Sequence, residues 1–481
     1  MKNDKQFIPG RGVDTLTGDP KKAIIKLSIP MVIAMSVQTI YNLADAIWVS
    51  GLGSNGLAAV GFFFPFMMFL IAISTGIAVG AGSAISRAIG ARDKEGANLS
   101  AMHGLYLAIA MSLFFACLFT LFSRPIFRSM GAGAVLDWAV QYGQIMFMGT
   151  VFLFFQSLSS TYLRSEGDAK RAMNVMLLGA VMNILLDPLF IYSFPITLGS
   201  TTFRIGLNWG VGGAAIATVV SIFISSIPMF FWLFIKKDTY IAFHFKGFRF
   251  KKSIVMDILN VGIPASLSQV SMSIMMFVLT MLITQVNNTD GVAIFTAGWR
   301  VVMMAILPCI GISTAVISVC AAAFGAGDYE KLYKAYMYSI RISVIVMAII
   351  SSLTYLFAPF ISRVFTWSAS AANIHDGLIR MNRILCFYYP LVPFSMHTSS
   401  MFQGIRKGSI SLIITFIRTI LFALPFAALF ALIFNLGLEG VWYGLTLGNI
   451  LTGFISIAWG LVYIKRMRLQ QAAILQEEAV G

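Results

Sequence analysis

The chain has 481 residues, 58% of them hydrophobic and only 11% charged, with a mean hydropathy of +0.84. Soluble domains carry roughly a quarter charged residues, so a water-solvated enzyme or scaffold is excluded and lipid is the expected solvent. The net charge of +15 would suit a nucleic-acid partner if it formed a patch, but its cations recur in short clusters between apolar segments.

Residues 1–23 are polar and hold no apolar core, so no cleavable signal peptide is expected. About twelve apolar spans follow, near 24–49, 57–86, 100–122, 138–163, 172–194, 212–235, 254–286, 291–324, 332–358, 373–402, 408–434 and 439–464. Clusters such as Lys21, Lys22 and Lys26, then Arg87, Arg92 and Lys94, then Arg164, Lys170 and Arg171 occupy every second connection. The alternate connections, such as 50–56 and 287–291, are nearly free of Lys and Arg. This positive-inside bias predicts a multi-pass cell-membrane protein with both termini in the cytoplasm, and no nucleic-acid partner. Cys117, Cys309, Cys320 and Cys386 lie in or beside apolar spans without a Cys-x-x-Cys pair and read as small apolar fillers.

The chain is written twice. A shift of about 235 positions pairs Ser28-Ile29-Pro30 with Gly262-Ile263-Pro264, and Gly76-Ile77 with Gly311-Ile312. The same shift pairs Gly90-Ala91-Arg92-Asp93 with Gly325-Ala326-Gly327-Asp328; later, at slightly different shifts, Ser159-Ser160 with Gly167 parallels Ser399-Ser400 with Gly408, and Gly210 to Gly213 parallels Gly437 to Gly440. Six spans per half is an even number, so the halves share one orientation, as parallel repeats of secondary transporters do. The expected organisation is a cytoplasmic segment 1–23, an N-lobe 24–235, a cytoplasmic interlobe linker 236–253, a C-lobe 254–464 and a cytoplasmic tail 465–481.

Two carboxylates, Asp45 and Asp187, sit inside the first and fifth spans. A charge in hydrocarbon costs at least ~2.5 kcal/mol, so such residues face internal cavities and mark ion or substrate paths. Gln38, Tyr41, Asn42 and Asp45 fall at i, i+3, i+4 and i+7, one helical face. Met176, Ala180, Asn183 and Asp187 share a face in the same way. Pro188 has no N–H and frees the carbonyl of Ile184 one turn away. With Asn183, Thr218 and Tyr41, these groups make a set of hard oxygen donors suited to a proton or to Na+. Gln38, Asn42, Met176 and Arg300 are expected to line a substrate cavity. Arg300, Arg383 and Arg418 lie at apparent membrane depth in the second half, and Arg418 either neutralises carbonyls or meets an anionic or zwitterionic substrate. His397, inside the tenth span, reads as a structural histidine.

The duplicated halves, the Gly-Ala-x-Asp loops and the aspartate-proline of the fifth span resemble the MATE (multidrug and toxic compound extrusion) family, over nearly the whole chain. Asp45 and Asp187 match the acidic pair of its prokaryotic branch with acids in the N-lobe. No acid occurs between Leu259 and Gln285 or between Gly377 and Gln403, where another branch carries its own. The resemblance implies an all-α membrane fold of two six-helix lobes related by a pseudo-two-fold axis. It also implies antiport of amphipathic small molecules against H+ or Na+ by alternating access, coupled through Asp45 and Asp187. The implied partners are those substrates and membrane lipids, the protein working as a monomer without a cofactor. The alternative on the same architecture is a flippase of lipids or lipid-linked saccharides. No Walker loop, His-Glu-x-x-His or Gly-x-Ser-x-Gly motif occurs, which argues against ATP drive and against an enzyme.

Overall fold

The computed structural model describes residues 12–198, 201–236, 238–367 and 373–480. Residues 1–11 of the expected N-terminal segment therefore lie outside it. A short helix α1 (Val13–Thr17) precedes five long ones: α2 (Pro20–Ser50), α3 (Gly53–Gly90), α4 (Lys94–Ser129), α5 (Leu136–Ser165) and α6 (Ala169–Ile191). After a β-hairpin come α7 (Gly210–Phe230), α8 (Lys252–Gly325) and α9 (Tyr329–Phe365). The chain closes with α10 (His375–Leu385), α11 (Val392–Gly404), α12 (Gly408–Phe416), α13 (Leu424–Ala428) and α14 (Gly437–Val480). The helical residues of α8 contain two successive spans, Lys252–Asn287 and Asp290–Gly325. Their apolar residues meet in one core: Met275, Leu279 and Ile283 of the first cluster with Phe295 and Val302 of the second.

Among the described residues, eleven helical segments are long and apolar enough to cross a membrane. The tenth expected span, 373–402, is the exception. It is broken into α10 and α11 by a tight 3-10 stretch, Cys386–Leu391. Pro390 and Pro393 fall in and just after that stretch, and neither can donate the i→i−4 bond that would keep the α-helix regular. The eleventh expected span also departs from a regular helix: α12 and α13 are joined and followed by wider π-helical turns at Ile417–Ala423 and Leu429–Ile433. A third departure is a strand pair where the sequence analysis placed only a connection. β1 (Phe194–Leu198) and β2 (Thr201–Ile205) pair antiparallel, Phe194 opposite Ile205 and Leu198 opposite Thr201. At the other end of the chain, α14 continues as helix far beyond residue 464, through the expected tail.

The chain forms two compact units. Unit 1 comprises Ile33–Ile85 and Lys94–Gly262, together with the short stretch before Thr15. Unit 2 comprises Thr15–Val32, Ser86–Asp93 and Ile263–Gly481. The units thus differ from the expected lobes at both ends. The first part of α2 belongs to unit 2 and the first part of α8 to unit 1. The changeovers fall two residues after Pro30 and immediately before Pro264, the prolines paired by the repeat.

The repeat is also visible in the loops. After α3, the amides of Ala91, Arg92 and Asp93 bond the carbonyls of Arg87, Ile89 and Ala88; after the second span of α8, Ala326, Gly327 and Asp328 bond Ala322, Phe324 and Ala323 in the same pattern. Both loops turn through a left-handed residue, Arg92 at φ 58 in one and Gly327 at φ 69 in the other. The two helix ends also touch reciprocally within unit 2. A Cβ on Gly90 would run into the Ala322 carbonyl, and one on Gly325 into the Arg87 carbonyl.

Unit 1 is built on an aromatic cluster linking α3, α4 and α5. Phe63 meets Tyr142 and Phe147 edge-on at 5.4 and 5.3 Å, and Phe66 meets Phe119 and Phe127 at 5.3 and 5.7 Å. Such pairs add about 0.5–1.5 kcal/mol each beyond their burial.

The linker is strapped onto unit 1 by buried and half-buried polar bonds. The Glu166 carboxylate accepts the amides of Tyr240 and Ile241 at 3.0 and 2.9 Å, and Asn98 Oδ1 accepts that of Ala242 at 2.8 Å. His103 Nε2 accepts the Lys251 amide at 2.8 Å, and Arg171 donates to both oxygens of Asp238 at 3.0 and 2.5 Å. Burial raises the Glu166 carboxyl from 4.5 to about 7, against the two amides and Arg171, which lower it. A raised carboxyl stabilises the fold below its unfolded value, and that contribution is lost as pH rises from about 4.5 to about 7. The thermal unfolding midpoint of the protein should therefore fall with pH across this window relative to Glu166→Gln, by up to on the order of 3 kcal/mol in stability. Parallel pH profiles for the two proteins would contradict this.

Candidate functional site: a cavity inside unit 1

A cavity of about 720 Å³ lies wholly within unit 1, walled by α2, α3, α5, α6 and α7. Gln38, Tyr41, Asn42 and Asp45 all line it, because their spacing puts four polar groups on the one face of α2 that turns inward. Met176, Ala180 and Asn183 line it from α6, and Thr218 from α7. Asp187 sits behind Asn183 and is fully buried.

The two acids are neighbours. Their carboxyl groups lie within electrostatic reach of one another, and among the described residues neither forms an ion pair with a lysine or arginine. Like charges near one another without a fixed cation repel, a cost that a proton or small cation relieves. Asn183 Nδ2 donates to Asp187 Oδ1 at 3.2 Å and to Thr218 Oγ1 at 3.3 Å, while Thr218 passes its own hydrogen to the Ala214 carbonyl at 3.1 Å. This orientation leaves Asn183 Oδ1 and Asp187 Oδ2 buried without a hydrogen-bond partner. Buried oxygens left bare cost free energy. Here both are acceptors, the kind of group a bound proton or small hard cation satisfies. Among the described residues no group of three His, Cys, Asp or Glu could hold a transition metal.

The ends of α2 and α6 are tied just beyond the acids. Tyr192 donates its hydroxyl to the Trp48 carbonyl, and the two rings stand edge to face at 6.4 Å. Tyr142 of α5 also lines the cavity, within electrostatic reach of Tyr41, Asp45 and Asp187 and held by Phe63. The sequence analysis did not single it out; only its place inward on α5 marks it.

Arg300 is not part of this site. It belongs to unit 2, is exposed, and is absent from the cavity wall. Its position along the span suggested depth, but the side on which a helix presents a residue is set by tertiary packing. Arg383 stacks on the Tyr355 ring at 5.3 Å, and Arg418 faces Tyr388 and Cys309 from the π-helical turn. His397 is buried with Nε2 on Ser343 Oγ at 2.7 Å. The four cysteines are free thiols.

With this geometry in place, the relatives decide the family. The MatE family profile matches residues 30–189 and 264–429, one copy in each half. The chain belongs to the MatE family. Its fold is close to a crystal structure of a MATE protein in complex with MaL6, at 45% identity and a TM-score of 0.90, covering 95% of this chain and 99% of that one. It is 25% identical to the probable multidrug resistance protein NorM of Thermotoga maritima, over 99% of this chain and 98% of that protein. An FAD transporter of Shewanella oneidensis is 24% identical, over 90% and 92% respectively. Members of the MATE family are transporters, so this chain is a multi-pass membrane transporter and not an enzyme.

Proposed function

We propose that the protein is a secondary exporter that moves amphipathic organic molecules, drugs among them, out of the cell in exchange for H+ or Na+. The observation that carries this reading is the pair of neighbouring acids with two bare buried oxygens beside a cavity of drug-sized volume. Asp45 and Asp187 hold the coupling ion, with Asn183, Tyr41 and Thr218 as its neutral partners. Gln38, Asn42 and Met176 belong to the substrate wall. The relatives named as a multidrug resistance protein and an FAD transporter support small organic molecules as the cargo class.

The physics constrains the coupling. An ion drives a conformational change only through different affinities for the two states. In the outward-facing state the acids take up a cation from outside, which removes their mutual repulsion and lets α2 repack against α6; substrate is displaced as the wall changes. In the inward-facing state the ion leaves and the acids again need compensation, which a new substrate or ion supplies. Both termini are then cytoplasmic and the monomer in the cell membrane is the working unit.

The test is efflux of a fluorescent cationic dye from cells lacking their own pumps. Cells making the protein should hold less dye at steady state, and collapsing the ion gradients should erase the difference. Equal dye content with the protein present in the membrane would overturn the reading.

A further inference from the structure

Arg164 is one of the cations that the sequence analysis assigned to topology, yet its side chain lines the same cavity as Asp45. It sits in the last turn of α5. Nη1 donates to Ser160 Oγ at 2.8 Å and Nη2 to Thr161 Oγ1 at 2.7 Å. Both partners are neutral hydroxyls one turn back on the same helix. They fix the direction of the guanidinium fork without neutralising it.

A guanidinium carries five N–H donors, so these two bonds leave three. Among the described residues no carboxylate forms an ion pair with Arg164. The acids closest in sequence are engaged elsewhere: Glu166 by the amides of Tyr240 and Ile241, and Asp168 and Asp238 by Arg171. The charge is thus oriented, partly spent on hydroxyls, and uncompensated in a cavity wall.

The acids stand at the other end. Tyr142, which neighbours them, is ~33 Å along α5 from Arg164 by helical rise. Between the two poles the wall is apolar and deformable, with Met67, Met68, Ile71, Met146, Leu153 and Met176. Gln156 and Ser157 add neutral polar groups near the arginine. A simple organic cation satisfies one pole only. A molecule with an apolar body and a carboxylate satisfies the arginine and fills the wall, leaving the acid pair to the coupling ion.

We propose that Arg164 is the specificity-determining residue of this cavity, docking the carboxylate of an amphipathic organic acid or zwitterion. This deepens the exporter reading of the same cavity and rests on it for its physiological sense. The planar fork matches a planar carboxylate through charge-assisted bonds, roughly twice as strong as neutral ones.

Binding to the purified full-length protein in nanodiscs tests this without requiring transport. The probes are a fluorescent rhodamine free acid and its methyl ester, which differ only in the carboxylate, followed by fluorescence polarisation. The unaltered protein should bind the acid about tenfold tighter than the ester. Arg164→Gln should bring the acid down to the level of the ester and leave the ester unchanged, and Arg164→Lys should keep part of the preference. Equal binding of acid and ester by the unaltered protein, no binding of the acid, or equal weakening of both by Arg164→Gln would overturn the proposal. The acid–ester comparison needs no variant, so poor folding of Arg164→Gln does not shield the idea. Acid preference without any dye efflux in cells would support this site while sinking the exporter reading.

Discussion

Asp187→Asn should lower ion-driven efflux by about 5- to 150-fold, the range of typical coupling free energies between two sites. The amide keeps the shape of the side chain and its bond to Asn183, but it can neither carry a proton nor balance a cation. The repulsion that makes the pair hungry for a positive charge is then gone. Asp45→Asn should act in the same direction, and the double variant should be no worse than the poorer single one, because the two carboxyls work as one unit. The measurement is the initial rate of dye efflux from cells with matched amounts of each variant in the membrane. Full activity in both single variants would remove the acids from the mechanism.

The second large effect concerns the fold. Gly325→Val should cost about 3 kcal/mol and lower the thermal midpoint in detergent by about 3 °C, as overpacking against rigid atoms does. The branched side chain would meet the Arg87 carbonyl, and a backbone atom inside a packed helix has nowhere to move. Gly90→Val, facing the Ala322 carbonyl, should do the same, since the repeat makes the two contacts equivalent. Gly61→Ala is the control: nothing lies within 4 Å of the position a Cβ would take there. A midpoint unchanged in Gly325→Val would show that the two helix ends are free to separate.

Much of this site was legible in the sequence, for reasons that belong to the membrane. Carboxylates are too costly in lipid to be placed idly, so Asp45 and Asp187 announced a cavity before any coordinates. The period of 3.6 then carried Gln38, Tyr41 and Asn42 to the same face, and Asn183 to the side of Asp187. The repeat, read from five weak matches, corresponds to loops with the same hydrogen bonds and the same left-handed residue. What the sequence hid depends on rotation and context. Arg300 and Arg164 are both long cations in apolar surroundings; one faces outward and one lines the cavity. Snorkelling permits either outcome, and only the packing of α5 against its neighbours decides. Tyr142 looked like one aromatic among many, because its function-bearing neighbours come from other helices. The break at Cys386–Leu391 was hidden because a span read as one stretch by its length does not show where its helix is interrupted, although Pro390 and Pro393 marked the place. The pairing of β1 with β2 was missed because the connections between spans were read only for charge.

The most direct test of ion coupling is flux into proteoliposomes under separately imposed gradients. Purified protein is reconstituted, a fluorescent dye is trapped or supplied, and a pH gradient or a Na+ gradient is applied alone. One of the two should drive dye movement against its own gradient, and Asp45→Asn/Asp187→Asn should abolish that movement. Dye flux that ignores both gradients, or that survives loss of both acids, would contradict the account.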